Sequence, residues 1–304
     1  MPPARKPQIR VGISGWTYAP WRGVFYPDKL PHARELAHAS RQLNSIEING
    51  TFYGLQRPAS FEKWYAATPD DFLFTVKGVR FITHIRRLKD VAAPLANFFA
   101  SGVLGLKEKL GPILWQLPPT LKFDAAVIEK FLSLLPATTK AAATLAKKHD
   151  DRLAGRVLTA TDRDRPLRHA VEVRHESFAC DAFVKLLRKH SAALVIADTA
   201  GLYPQLEDVT ADFVYLRLHG EGELYKSGYT LTALDVWATK IRAWAGGKSP
   251  GGGGALAAPK LKPSAARGGR DVFVYFDNSM KVKSPRDAAA LARRLGLESG
   301  DRAS

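Results

Sequence analysis

The chain has 304 residues, 46% of them hydrophobic and 24% charged, and this composition excludes global disorder and a fibrous fold. With 45 Lys and Arg against 29 Asp and Glu, the formal net charge is +16, which favours anionic partners such as nucleic acid or phosphorylated metabolites. No apolar run is long enough to span a membrane, no secretory leader is evident and Cys180 is the single cysteine, so we expect a cytoplasmic protein without a membrane partner.

Short apolar or β-branched runs, about 37 residues apart from start to start, predict eight strands. These strands are residues 10–14, 45–49, 72–77, 112–117, 169–174, 193–198, 213–219 and 272–277. Helices are predicted between most of them, with capping signals at Ser60, Asp124, Asp181, Thr232 and Ser284. This alternation favours an α/β fold with a single TIM-like (β/α)8 barrel, and a doubly wound open sheet is the alternative.

Three further features concern the connections and the ends of the chain. Only about 20 residues separate the starts of strands six and seven, so the crossover helix between them is predicted to be short or missing. Residues 246–270 are rich in Gly, Pro and Lys and are predicted to form a flexible insertion that buries no apolar area. We therefore predict one barrel domain over 9–296, a basic N-terminal tail at 1–8 and a C-terminal tail at 297–304.

Motifs along the predicted strands carry a family resemblance. They are Gly12–Trp16, Trp21, Phe25–Pro27, Glu47–Asn49, Thr51–Tyr53, Lys63–Trp64, Thr68–Pro69, Leu110–Pro112, Gln116–Pro119, Ala170–His175, Ala197–Asp198, Tyr215–Gly220 and Val274–Asn278. As a set they resemble the YecE-like bacterial family, the domain of unknown function DUF72. The resemblance implies a TIM-barrel-like fold related in shape to sugar-isomerase and endonuclease barrels, and it implies no established reaction. Asp277 stands where the family pattern leads us to expect a second Asn.

The predicted strands end in polar residues, and a TIM barrel builds its site at these ends. The candidate catalytic residues are Glu47, Glu172, His175, Asp198 and His219. The candidate substrate-binding residues are Trp16, Trp21, Asn49, Tyr53, Lys77, Gln116, Arg174, Tyr215, Arg217 and Asn278. We favour a ligand site, because so many charged ends converge on one rim. The alternative is a buried ion-pair network in which Glu172 pairs with Arg174 and Asp198 pairs with Arg217.

Residue chemistry gives these candidates their roles. Lys77, Arg174 and Arg217 suit a phosphate or carboxylate, and His219 is the preferred acid or base because an imidazole titrates near neutral pH. For His175, helix capping is an equal alternative to catalysis. Of Asp277 and Asn278, only one is expected to point inward.

Aromatic residues are concentrated after the first predicted strand, at Trp16, Tyr18, Trp21, Phe25 and Tyr26. Aromatic planes at a barrel mouth can stack on a sugar or a base. An aromatic plug that holds the loops in place is the equal alternative.

The cofactor and the reaction stay open at this stage. Carboxylates and His219 are suitable ligands for a divalent metal, although no short metal-binding motif is present. The leading hypothesis is an enzyme acting on a phosphate-bearing substrate, with nucleic acid among the candidates and a phosphoester hydrolase among the reactions. A sugar or sugar-phosphate isomerase is the second hypothesis. A non-catalytic nucleic-acid-binding protein that relies on its basic tail and insertion is the third.

Overall fold

The fold was analysed in a computed structural model, which describes residues 6–153, 155–224, 226–250, 254–261, 268–278 and 282–297. Eight parallel strands close into a barrel in sequence order, with β8 hydrogen-bonded to β1. They are β1 Ile9–Ser14, β2 Ser45–Ile48, β3 Leu73–Lys77, β4 Leu110–Gln116, β5 His169–Glu172, β6 Ala193–Asp198, β7 Phe213–Leu218 and β8 Asp271–Phe276. The predicted TIM-like barrel is confirmed, and the open sheet is excluded.

Helices surround the barrel in the described part of the chain. They are α1 Glu35–Gln42, α2 Gly50–Tyr53, α3 Pro58–Ala66, α4 Ala92–Ala100, α5 Ala125–Leu134, α6 Thr139–Ala146, α7 Asp181–Lys189, α8 Leu231–Ala245 and α9 Lys283–Leu295. Residues 199–212, all of them described, contain no helix, so the crossover between β6 and β7 lacks one as predicted. None of the helices that the structure describes is both long and apolar enough to cross a membrane.

The helix starts follow the capping signals in part. The Asp124 carboxylate accepts hydrogen bonds from the N–H groups of Ala126 and Val127, as its position before α5 predicts. Helix α8 is capped by Thr230 and not by Thr232. Ser284 lies inside α9, and its hydroxyl donates to Asn278 Oδ1 at 2.8 Å instead of capping the helix. Ser60 lies inside α3, and Asp181 is the first residue of α7 after Cys180, so of the five predicted caps only Asp124 is confirmed.

Alternation along the strands separates two apolar clusters. On β7, Val214 and Leu216 belong to the large cluster between strands and helices, whereas Phe213 and Tyr215 belong to a smaller cluster inside the barrel. This period of two places residues 213, 215, 217 and 219 on one face. Arg217 and His219 therefore lie above the apolar interior, at the carboxyl end of the barrel.

The insertion between α8 and β8 leaves and returns at one place, because Arg270 N donates to Ala245 O at 3.1 Å. Its residues 254–261 lie against the helix-free connection between β6 and β7. The Asp208 carboxylate accepts hydrogen bonds from Ala257 N at 2.6 Å and Ala258 N at 3.1 Å, and both alanines are buried. The prediction that the insertion buries no apolar area is wrong for these residues. Residues 251–253 and 262–267 of the predicted insertion lie outside the described part.

Candidate functional site

A buried arginine is the centre of the polar carboxyl end. Arg217 is 0% exposed, and its guanidinium bonds to three carboxylates, which we call the carboxylate ring. It lies 2.9 Å from Glu47 Oε1, 2.7 Å from Glu172 Oε2 and 2.8 Å from Asp277 Oδ2. The ring carboxylates come from β2, β5 and the residue after β8, so only barrel closure brings them together. An uncompensated buried charge would cost several kcal/mol, and the ring removes most of that cost from Arg217.

Opposite charges keep Arg217 and two of the ring carboxylates, Glu172 and Asp277, ionised. Burial raises the pKa of Asp277, but Arg217, His219 and Lys77 together outweigh burial and lower that pKa to about 2. Burial also raises the pKa of Glu172, but Arg217, Arg174 and the other nearby cations together hold it well below its usual value. Burial lowers the pKa of Arg217, and the ring carboxylates more than reverse this, so the pKa lies well above its usual value. Asp277 and Glu172 are thus ionised at neutral pH.

Neighbouring side chains fix the orientation of the ring. Tyr215 Oη donates to Glu47 Oε2 at 2.6 Å, and Gln116 Nε2 donates to Glu172 Oε1 at 2.8 Å. Arg174 Nε donates to the same Glu172 oxygen at 2.9 Å, which confirms the predicted Glu172–Arg174 pair. Tyr215 is fully buried, so its geometry is that of a positioning residue for Glu47.

Lys77 ends β3 beside the ring, and it is only 7% exposed. Its Nζ lies 4.2 Å from the centre of the Phe52 ring. Among the residues that the structure describes, no carboxylate oxygen lies within 4.0 Å of the Lys77 Nζ atom, so this amine forms no ion pair there. Burial first, and then the charge of Arg217, lowers the pKa of Lys77 to about 8.

The environment of His84 reports the sign of the charge at this mouth. His84 lies on the loop after β3, with its ring centre 5.1 Å from that of Phe52. Its pKa falls to about 4, because of burial first and then the cations Lys77, Arg174 and Arg80. The cationic mouth, defined here as Lys77, Arg174 and Arg80 around His84, is therefore suited to an anion.

His219 is fully enclosed by the ring and is 0% exposed. Its Nδ1 lies 3.3 Å from Asp277 Oδ2, and its Nε2 lies 3.4 Å from Arg217 Nη1. Burial and then Arg217 lower the pKa of His219, so the imidazole is neutral at pH 7. A neutral ring that donates from Nδ1 to Asp277 fits this geometry.

Three predicted site residues, Asp198, His175 and Asn278, bond to structural partners outside the carboxylate ring. Asp198 accepts a hydrogen bond from Tyr229 Oη at 3.0 Å, whereas Arg217 bonds to the carboxylate ring. The expected Asp198–Arg217 pair is therefore wrong. His175 Nδ1 accepts from Ser177 N at 3.1 Å and caps a short 3-10 helix, the alternative to catalysis.

Asn278 is buried behind the strand, where its amide donates to Asp287 Oδ2 at 2.8 Å. As expected, only one of the two residues after β8 points inward. That residue is Asp277, which was absent from the catalytic and substrate-binding candidates. Its signal was its position as the last residue of the predicted strand 272–277.

An aromatic groove opens beside the mouth, between the loops after β1 and β2. It encloses about 610 Å³ and is lined by Trp16, Asn49, Tyr53, Lys63 and Trp64, among others. Tyr53 is 75% exposed, and the Asn49 Oδ1 atom is buried without a hydrogen-bond partner in the described part. Gly15, in the left-handed region with φ of 76°, turns the chain after β1 and places Trp16 in the groove.

Trp21 differs from the other predicted aromatic contacts. It is 0% exposed, with ring centres 4.7 Å from Tyr18 and 5.8 Å from Phe25. This packing matches the aromatic plug that holds the loops in place, which was the alternative to stacking on a sugar or a base. Trp64, which sequence reasoning missed, packs edge-on against Trp16 at 5.4 Å.

The donor set does not assemble into a metal site. Within the described ranges, no three His, Cys, Asp or Glu side chains converge as a group that could hold a metal ion. Each ring carboxylate bonds instead to Arg217. The side chains at the mouth therefore do not fit a bound metal, and no step below depends on one.

A closed eight-stranded parallel barrel with its polar residues at the carboxyl ends is a TIM barrel. The family described as "Protein of unknown function DUF72" matches residues 10–303, and the chain belongs to this family.

Relatives are found among bacterial proteins and solved structures. UPF0759 protein YunF of Bacillus subtilis is 28% identical over 116 residues, 36% of this chain and 40% of that protein. UPF0759 protein YecE of Escherichia coli K12 is 27% identical over 129 residues, 42% of this chain and 44% of that protein. Each alignment thus spans less than half of the relative.

Two solved structures share the fold over nearly the whole chain. A DUF72 family protein of Thermotoga maritima, TM1631, has a TM-score of 0.70 and 23% identity, covering 95% of this chain and 99% of that one. EF0366 of Enterococcus faecalis has a TM-score of 0.67 and 17% identity, covering 96% of each chain. At such identities the likeness concerns the fold alone.

Proposed function

We propose that this protein is an enzyme that acts on a small organic anion, bearing a phosphate or a carboxylate, at the cationic mouth. The observation that carries the proposal is Lys77, a nearly buried cation with no ion-pair partner among the described residues. Burying a charge without a partner is costly, and a titratable group that is strongly perturbed in this way is a candidate for ligand binding or catalysis.

The roles follow from which groups solvent can reach. Lys77 and Arg174, 7% and 12% exposed, would hold the anionic group, with Arg80 adding positive potential. Asp277, 14% exposed, is the one ring carboxylate that a substrate hydroxyl can reach, since Glu47 and Glu172 are both 0% exposed. We therefore assign Glu47, Glu172 and His219 to positioning Arg217 and Asp277.

The aromatic groove would bind the remainder of the substrate. Trp16 and Tyr53 offer ring faces. The buried Asn49 Oδ1 has no donor among the described residues, and a substrate hydroxyl or N–H would supply one. This combination suits a sugar or a planar ring.

The test is anion binding, measured by thermal shift and calorimetry with inorganic phosphate and with glycerol 3-phosphate. We expect both anions to stabilise the wild type and a Lys130→Met control, whose lysine is exposed on α5. Lys77→Met should bind at least about tenfold more weakly, because the buried cation is lost. Equal binding by the three proteins would overturn the proposal, and circular dichroism would verify their folding.

A second candidate is an enzyme acting on nucleic acid. A cleft of about 450 Å³ on the same face is lined by Arg86, Arg87, Lys89 and Lys122. Such a cluster can contact successive phosphates of a backbone. Affinity for a short duplex that falls steeply with salt in the wild type, with a smaller slope in an Arg87→Ala and Lys89→Ala double variant, would support this candidate. The same salt slope in both proteins would exclude it.

A further inference from the structure

Lys77 differs from the other well-buried lysines that the structure describes. Lys109 Nζ donates to the carbonyls of Tyr65 and Thr68, each at 2.8 Å. Lys240 Nζ lies 2.6 Å from Glu207 Oε1. Lys77 has neither a carbonyl acceptor nor an ion pair in this part of the chain, only the Phe52 ring. Its amine thus lies at the carboxyl end of a strand with neither a hydrogen-bond acceptor nor an ion-pair partner among the described residues.

We propose that Lys77 Nζ is a nucleophile that forms an imine with the carbonyl group of an aldehyde or ketone bearing a phosphate or carboxylate. The inference rests on the proposed function and narrows its substrate class. Arg174 would hold the anionic group, and the amine would meet the carbonyl carbon.

The step balances without a further reactant. The unprotonated amine adds to the carbonyl carbon, and the resulting carbinolamine loses its oxygen as water. Both protons of that water come from the amine, so a carbon–nitrogen double bond replaces the carbon–oxygen one. Protonation of the imine would give a cation, and Glu47, Glu172 and Asp277 lie close enough to contribute to the electrostatics of the amine. The Phe52 face would stabilise the same cation.

The charges around the amine leave part of it unprotonated at neutral pH. Arg217 and burial disfavour the ammonium, while Glu47, Asp277 and Glu172 favour it, and the resulting pKa is about 8. About a tenth of the amine is then free base at pH 7, against less than a thousandth for an ordinary lysine. His84, on the neighbouring loop, is neutral at that pH.

The test is reductive trapping on the intact wild-type protein. Glyoxylate, pyruvate and dihydroxyacetone phosphate are each added with sodium borohydride, which delivers hydride to an imine carbon and leaves a stable secondary amine. Peptide mass spectrometry then measures the modified fraction of every lysine. We expect at least one probe to modify Lys77 at least about tenfold more than the exposed Lys130, because the free base is the nucleophile.

Two controls separate the possible failures. Lys77→Arg cannot form an imine, so the adduct at this position should be lost while modification of Lys130 stays at the wild-type level. Anion binding without a Lys77 adduct from any probe would overturn the imine inference and leave the proposed function standing. Equal anion binding by the wild type and Lys77→Met, in the test of the proposed function, would overturn both the imine inference and the proposed function. Modification that follows surface exposure, with Lys77 no higher than Lys130, would also overturn the imine inference.

Discussion

At the scale of single residues, Arg217 shows how a buried charge can organise a site. One guanidinium bonds to carboxylates from three other places in the barrel, so removing it leaves three buried negative charges together. We expect Arg217→Met to lower the free energy of unfolding by about 3–5 kcal/mol, measured by urea denaturation. Arg86→Met, which removes an exposed pair with Asp90, should cost less than about 1 kcal/mol. Similar losses in both variants would contradict the central role of Arg217.

Lys77 gives anion binding a characteristic pH dependence. Its pKa is lowered, so the ammonium is present below about pH 8 and is lost as the pH rises through that value. Sulfate, which does not titrate in this range, should therefore bind progressively more weakly from about pH 7 to pH 9, by calorimetry. Lys77→Arg should show no such decline, because arginine stays charged. A flat profile in the wild type would refute the assignment.

His169 makes the stability of the barrel sensitive to acid. It is buried at the start of β5, where its ring bonds to Trp115 Nε1 at 3.2 Å and Pro136 O at 2.9 Å. Burial lowers its pKa to about 4, whereas the unfolded chain takes up this proton near pH 6.5. The contribution of His169 to the free energy of unfolding is therefore full above pH 6.5. It falls by about 3 kcal/mol as the pH decreases towards 4.

Urea denaturation at several pH values would test this sensitivity. His169→Gln should weaken the dependence between pH 6.5 and pH 4, because glutamine has no proton to gain, whereas His84, whose pKa is also about 4, still contributes. His32→Gln, at an exposed histidine, is the matched control. If both variants kept the wild-type slope, His169 would not be its source.

At the scale of elements, the connection between β6 and β7 replaces a helix with packing from elsewhere in the chain. Asp208 accepts two backbone hydrogen bonds from the buried Ala257 and Ala258. Asp208→Ala would leave both N–H groups unsatisfied, so we expect a loss of about 1–3 kcal/mol and faster proteolysis within 246–270. Asp212→Ala, in the same connection, should change neither. Unchanged proteolysis in Asp208→Ala would show that these bonds do not hold the segment.

At the scale of the whole molecule, the site and the insertion belong to opposite ends of the barrel. The insertion leads into β8, and its described part contacts residues 206–208, which lead into β7. Segments that precede strands lie at the amino-terminal end, away from the cationic mouth. The described insertion residues are therefore distant from the proposed site.

Deleting residues 247–269 tests this separation. Ala245 and Arg270 are already hydrogen-bonded, so Gly246 can be joined to Arg270 with little rearrangement. We expect the shortened protein to bind phosphate within about twofold of the wild type, by calorimetry, because no ring or mouth residue is removed. Collapse of binding in a folded deletion variant would favour the non-catalytic nucleic-acid-binding hypothesis.

Much of the fold was predictable because its signals are local. The β/α alternation, the missing crossover helix and the Asp124 cap depend on residues close in the chain, and each was confirmed. The polar strand ends followed from strand periodicity alone. The Ser284 cap failed because α9 begins one residue earlier, at Lys283, and the Ser284 hydroxyl donates to Asn278 instead.

Sequence by itself determined the barrel and the list of side chains able to reach its carboxyl end. Only the tertiary structure decided their partners. Closure of the barrel places Glu47 against Arg217, 170 residues apart, and leaves Asp198 with Tyr229. The same closure leaves Lys77 without an ion pair among the described residues. Such pairings depend on distances of a few ångströms across the barrel, which strand periodicity does not encode. They decide whether a buried charge is already paired within the protein or is left to bind a ligand.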